Sequence, residues 1–117
     1  MHETSLIEYT LNAVEKKASL MGIERVAEIG LVVGRLAAVP HLMETAFNVM
    51  KYGRPMFTET KLVIDYRDLS FCCRDCQEEF TTDSYIEARC PACGGTHLKR
   101  TGGDELLIDY FIPEDTV

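Results

Sequence analysis

Residues 24–34 read ERVAEIGLVVG. Ala27, Ile29, Leu31 and Val33 alternate with period two, which predicts a strand over residues 25–33 with one face turned toward a helical layer. The segments on either side change period, and that change sets the class of fold.

Before the strand the period is helical. Ile7, Leu11, Val14, Ala18 and Met21 form one apolar stripe, and Leu6, Ala13 and Leu20 widen it. Ser5 and Glu8 have capping-box spacing, and Gly22 is placed to close the far end. After the strand, Pro40 fits a first helical position, and Leu42, Ala46, Val49 and Met50 continue a second stripe until Gly53. Two further strands follow. In TKLVIDYRD, Leu62, Ile64 and Tyr66 alternate with Val63, Asp65 and Arg67, and ELLIDYFI places Leu106, Ile108, Tyr110 and Ile112 on one face.

Between these two strands, residues 70–101 hold few long apolar side chains beyond Phe71, Phe80, Tyr85, Ile86 and Leu98. Such a segment cannot bury much core and needs a metal or a cross-link to hold it. It leaves one strand and returns into another, so the simplest arrangement pairs those strands antiparallel and hangs the segment from the sheet's end.

All five cysteines of the chain lie between Cys72 and Cys93. Cys73 and Cys76 form one C-x-x-C pair and Cys90 and Cys93 another, with thirteen residues between them. This spacing suits a tetrahedral Zn(II) site made of two cysteine knuckles. In CPACGG, Pro91 stiffens the second knuckle, and Gly94 and Gly95 let the backbone turn tightly with N–H groups aimed at a thiolate. Four thiolates leave no open position for a catalytic water, so the predicted zinc is structural. The rival is a pair of redox C-x-x-C motifs, which ordinarily sit at the start of a helix in a βαβ setting that the sequence pattern does not show here. Cys72 is a spare thiol beside Cys73, although a Cys72–Cys76 spacing of three is conceivable. His97, four residues after Cys93, reads first as an exposed ribbon residue, with a place near the metal shell as the alternative, and His41 beside Pro40 is read as an ordinary exposed histidine by the same logic.

Composition narrows the function classes. The chain has 117 residues, is 46% hydrophobic and 26% charged, and so fits one small domain with a modest core. No apolar run reaches the roughly 20 residues needed to span a bilayer, and the N-terminus has no basic and apolar signal regions; the expected location is the cytoplasm. A formal charge of -7 is a poor match for a phosphate backbone, so nucleic acid is not an expected partner.

The chain begins MHETSL, with two metal-ligand types ahead of the first helix. Removal of the initiator methionine requires a small second residue, so His2 predicts a retained Met1 with its α-amine available. That amine, the His2 backbone nitrogen and the His2 imidazole can close adjacent chelate rings in one plane, and the Glu3 backbone or carboxylate can supply a fourth donor. Planar, nitrogen-rich sites favour Ni(II) or Cu(II). The first N–H groups of a helix lack intrahelical partners, so their use as ligands costs the helix little.

Met-His-Glu at the start, a helix, a strand ending in glycine (LVVG), a second helix with the pair Ala46 and Phe47, a strand, the two C-x-x-C pairs and a closing strand together resemble the HypA/HybF family of hydrogenase-maturation nickel metallochaperones, over essentially the whole chain. The resemblance implies a nickel site at the N-terminus involving His2, with Glu3 beside it, and structural zinc at Cys73, Cys76, Cys90 and Cys93. It also implies transfer of Ni(II) to the large-subunit precursor of a [NiFe] hydrogenase, in concert with a HypB-type nucleotide-hydrolysing partner, and in some organisms to urease. Some family members recruit an acidic residue before the second helix; here that region reads AAVPHL, with no carboxylate, and His41 is a substitute ligand there.

The expected fold is α+β: two helices on a small, mainly antiparallel three-stranded sheet. Residues 1–69 and 102–117 would form a nickel-binding α/β domain, and residues 70–101 an inserted four-cysteine zinc ribbon. The expected role is metal delivery, not enzymatic catalysis. The alternative is a zinc-ribbon adaptor or nucleic-acid-associated module with an inert N-terminus.

Overall fold

The computed structural model describes residues 2–84 and 86–114, for His2 the backbone alone. Helix α1 spans His2–Leu20, β1 Val26–Gly34 and α2 Pro40–Met50. Two short 3-10 turns lead into β2, Lys61–Arg67. Strands β3 (Leu69–Cys73), β4 (Glu79–Thr82) and β5 (Leu98–Gly102) come next, and β6 (Leu106–Pro113) closes the described chain. The strands form two sheets, β2-β1-β6 and β4-β3-β5. Of the four strand pairings among the described residues, three are antiparallel.

The exception corrects the expected pairing. β2 and β6 do not pair; β1 lies between them, parallel to β2 and antiparallel to β6. The crossover from β1 through α2 to β2 imposes the parallel direction, because a helix returns the chain to the end from which it set out. A βαβ unit is therefore present, although neither C-x-x-C pair belongs to it. β1 takes the centre because GLVVG is apolar at consecutive positions, and every residue from Ile29 to Gly34 is buried. β2 and β6 carry the charges that suit an edge: Lys61, Asp65 and Arg67 on one, Asp109 on the other.

α1 begins at His2, ahead of the Ser5 start that the capping-box spacing suggests. Its far end is as expected: the Ile23 N–H donates to the Ala18 carbonyl and Gly22 N–H to that of Ser19, with Gly22 at φ 75°. This double bond pattern closes a helix on a left-handed glycine. Ile7, Leu11, Val14 and Ala18 are buried as predicted, whereas Met21, past the last helical turn, is exposed, as is Leu20. In α2 the predicted stripe holds in part: Ala46 and Met50 pack against the core, half-buried. Met43 and Phe47 fill the core, and Leu42 and Val49 face outward. Met43 and Phe47 are larger than the alternatives at the same spacing and bury more apolar surface per helix.

β6 also departs from simple alternation. Leu31 pairs with Ile108 but Gly30 with Tyr110, so Asp109 is an extra residue, a β-bulge. Beyond it the faces exchange: Ile108 and Phe111 pack on the helical core, and Tyr110, predicted to share the Ile108 face, lies across Gly30 with its hydroxyl donating to Glu28 at 2.5 Å.

The two sheets join through short segments. Asp68 alone separates β2 from β3, and three residues separate β5 from β6. The β1–α2 loop is laced to this junction: Gly34 N–H donates to the Glu105 carbonyl, Arg35 N–H to that of Arg67 and Leu36 N–H to that of Gly103, at 2.7, 3.0 and 2.7 Å. A Cβ on Gly34 would overlap the Gly103 carbonyl, a backbone group with no room to swing aside. Gly34→Ala is therefore expected to lower stability by about 2 kcal/mol, read as a lower denaturant midpoint at unchanged slope.

Candidate metal centres

Cys73, Cys76, Cys90 and Cys93 bring their sulfur atoms within 4.8 Å of one another. Cys73 Sγ lies 3.6 Å from Cys93 Sγ, and Cys76 Sγ 3.4 Å from Cys90 Sγ. A tetrahedron of thiolates around zinc, with bonds of about 2.3 Å, separates its sulfurs by roughly 3.8 Å, so a small outward relaxation admits the ion. No other group of three or more candidate ligands converges among the described residues.

The two knuckles are built alike, bond for bond. The N–H of the first cysteine donates to a carbonyl five residues on, Cys73 to Glu78 and Cys90 to Gly95, at 2.8 and 2.9 Å. The N–H four residues on donates back to the first cysteine's carbonyl, Gln77 to Cys73 and Gly94 to Cys90, both at 2.8 Å. That fourth residue is left-handed in each, at φ 69° for Gln77 and 73° for Gly94. The glycine at position 94 announces this turn, and Gln77, which carries a Cβ into the same conformation, does not. The conformation costs Gln77 roughly 1 kcal/mol that glycine would not incur.

Backbone N–H groups also face the sulfurs. Burial pushes the Cys90 thiol up, but the Cys93 and Ala92 N–H groups and the neighbouring Cys76 and Cys93 outweigh it and hold Cys90 down at about 7. At Cys76 the Glu78 N–H lowers the value, yet Cys90, burial and the other two thiols win and push it up to about 12. Cys93 is likewise raised: its Gly95 N–H lowers it, and Cys73 and Cys90 prevail. A cation bound by thiolates displaces the protons of the thiols it takes as ligands. Donor type and spacing fit zinc, and with four sulfurs the shell is closed.

Cys72 stands outside the cluster, its thiol 3.8 Å from the Cys73 carbonyl oxygen. His97 is also outside it; Nδ1 lies 3.3 Å from an Asp75 carboxylate oxygen, and the His97 carbonyl accepts from Arg74 N–H at 2.8 Å. The histidine thus braces the first knuckle.

At the other end of the chain, Met1 and the His2 side chain lie outside the described residues, as does Tyr85. The His2 backbone forms the first residue of α1. Glu3 is half-buried, and its Oε2 accepts the backbone N–H of Val39 at 3.1 Å. The starts of α1 and α2 therefore meet. Farther along, Arg54 donates to Asn12 at 2.6 Å and to Glu15 at 3.1 Å, so the two helices run side by side in the same direction. His41, in the first turn of α2, is exposed. Sequence reasoning did not find the Glu3–Val39 bond, because it spans 36 positions and only the folded chain brings them together.

Comparison with known proteins agrees with this construction. Residues 1–112 match the HypA family model, described as hydrogenase/urease nickel incorporation, metallochaperone. The chain is 35% identical over 112 residues to the hydrogenase maturation factor HypA of Moorella thermoacetica, covering 95% of this chain and 97% of that one. It is 35% identical over 116 residues to the HypA of Chlorobium luteolum, covering 98% and 97%. Its fold is similar to the solution structure of the Ni metallochaperone HypA from Helicobacter pylori, with a TM-score of 0.63 at 19% identity and 97% of each chain covered. A second HypA solution structure superposes with a TM-score of 0.69 at 20% identity, again over 97% of each chain. The chain belongs to the HypA family of nickel-incorporation metallochaperones, and it is a maturation factor, not an enzyme.

Proposed function

We propose that this chain binds Ni(II) at its N-terminus through His2, with Met1 and Glu3 beside it, and delivers it to a nickel-enzyme precursor during [NiFe] hydrogenase maturation. The observation that carries this reading is the family match from residue 1 to residue 112, which takes in both the Met-His-Glu start and the four cysteines. The physical support is local. α1 begins at His2, so the backbone nitrogens of His2 and Glu3 belong to a first helical turn and owe no bond to the helix. In this reading, Cys73, Cys76, Cys90 and Cys93 hold Zn(II) for structural reasons, residues 70–101 form a zinc-dependent unit inserted into the nickel-binding part, and nickel is cargo.

The partners proposed are a HypB-type nucleotide-hydrolysing maturation protein and the large-subunit precursor of a [NiFe] hydrogenase, with urease as a further acceptor, all in the cytoplasm. No helix among the described residues is long and apolar enough to cross a membrane. The net charge of -7 favours protein surfaces over nucleic acid. Affinity capture from a cell with an active hydrogenase operon is expected to recover the maturation partner through α1 and to retain no DNA or ribosomes; the reverse outcome would support the adaptor reading. Nickel titration of the untagged chain against His2→Ala, with zinc measured in both, tests the metal assignment directly.

A further inference from the structure

α2 begins without any capping group of its own. Its N-cap residue is Val39, whose side chain makes no cap, Pro40 occupies the first helical position without an N–H, and no acidic residue lies in the first turn. In a capping box, the carboxylate that returns to the N-cap N–H comes from the third helical residue of the same helix. Here that residue is Leu42. The Val39 N–H is bonded instead by Glu3, from a different helix.

We propose that Glu3 is a positioning residue: its carboxylate replaces the capping group that α2 lacks, and thereby pins the first turn of α1, with His2, to the start of α2. This inference rests on the nickel site proposed above and assigns the Glu3 side chain a role other than ligand. Three observations support it. The bond satisfies the otherwise uncapped Val39 N–H, and it sets a negative charge where the helix dipole of α2 is positive. The donor is held in place, because the loop that precedes Val39 is laced through Gly34, Arg35 and Leu36 to the junction between the sheets. Farther along, Arg54, past the end of α2, ties Asn12 and Glu15 in the middle of α1, so the Glu3 bond acts separately, at the end that carries His2.

The test compares Glu3→Gln and Glu3→Ala with wild type, using the Val39 amide signal in nickel-free protein and nickel titration of the untagged chains. A glutamine carbonyl still accepts the Val39 N–H but is a poor substitute for a carboxylate ligand. Glu3→Ala is expected to move the Val39 amide signal to that of an unbonded N–H and to weaken nickel binding roughly tenfold, the effect of a lost cap on the order of the turn. Glu3→Gln is expected to keep the Val39 signal and to restore nickel binding to within about threefold of wild type, the remainder being the lost charge at the helix end. Zinc content should be the same in all three. If Glu3→Gln bound nickel as poorly as Glu3→Ala with the Val39 signal intact, the carboxylate would be a ligand and the inference would fail. It would fail equally if the Val39 signal were identical in all three chains. A wild type without His2-dependent nickel binding would instead overturn the proposed function, while the nickel-free Val39 signals would still decide whether Glu3 caps α2.

Discussion

Replacing Cys76 by serine is expected to lower zinc from one ion per chain to nearly none and to unfold the second sheet while α1, α2 and the first sheet persist. Leu69, Phe71, Cys73 and Cys90 are the buried apolar residues of the β4-β3-β5 unit, supplemented by the Phe71–Phe80 ring pair at 5.7 Å, and Ile86 is 94% exposed. Fully burying one such side chain contributes roughly 1.5–3 kcal/mol, whereas each residue held in a single backbone conformation costs about 1–2 kcal/mol. Apolar burial therefore cannot stabilise residues 70–101 alone. A structural zinc supplies roughly 10–16 kcal/mol of apparent binding free energy, which at the proposed site would become folding free energy. The first sheet does not depend on it: its core joins Ile7, Leu11, Val14 and Ala18 of α1, Met43 and Phe47 of α2, and Ile29, Leu31 and Val33 of β1. Amide exchange resolved by residue, with zinc measured on the same sample, reads both halves. Chelation of zinc from the wild-type chain should reproduce the pattern if the variant expresses poorly. Zinc-free protein carrying two intact disulfides and a folded second sheet would overturn the structural-zinc reading in favour of the redox one.

The second large effect is expected at the opposite end of the molecule. His2→Ala should abolish tight nickel binding, since the imidazole is the one side-chain nitrogen among the first three residues. Zinc content and fold should persist, because the four cysteines converge with no contribution from α1. Binding should weaken as pH falls: the amine, the imidazole and any backbone nitrogen used must lose protons before they can bind metal, and protons compete more strongly in acid. One residue added before Met1 should weaken binding if the α-amine is a ligand and leave it unchanged if imidazole and internal amides suffice. Calorimetric titration of untagged wild type and His2→Ala at two pH values measures all of this. Equal nickel affinity in the two chains would remove the N-terminal site.

The element order, the apolar face of α1 and the four-cysteine set were legible in the sequence because each rests on short-range rules. Periodicity of 3.6 or 2 follows from local backbone geometry, the glycine at position 22 ends α1 through its own φ, and two C-x-x-C pairs thirteen residues apart, outside a helix start, have the spacing of two zinc knuckles. The knuckle at Cys90 was readable in more detail than that at Cys73, because Gly94 advertises the left-handed turn and Gln77 adopts it without any sequence mark. Where two solutions were locally equivalent, the sequence did not choose. Leu42 with Val49 and Met43 with Phe47 both have helical spacing, and only packing against β1 selected the second pair.

By itself, then, the chain determined α1, β1, α2, β2 and β6 and the grouping of four cysteines into two C-x-x-C pairs, while β3, β4 and β5 lay in a segment legible only as a cysteine-rich insertion. Tertiary structure decided how those segments pair. An antiparallel β2–β6 connection is the simplest for two strands that flank an insertion, yet β1 separates them, since a strand apolar on both faces gains more from two neighbours than a charged edge strand does. The bulge at Asp109, which turns Tyr110 onto Gly30, likewise follows from register against β1. The bond from Val39 to Glu3 belongs to the same class. Its two groups are ordinary in their own segments, and they become partners because the sheet and the junction between the sheets fix where each helix begins.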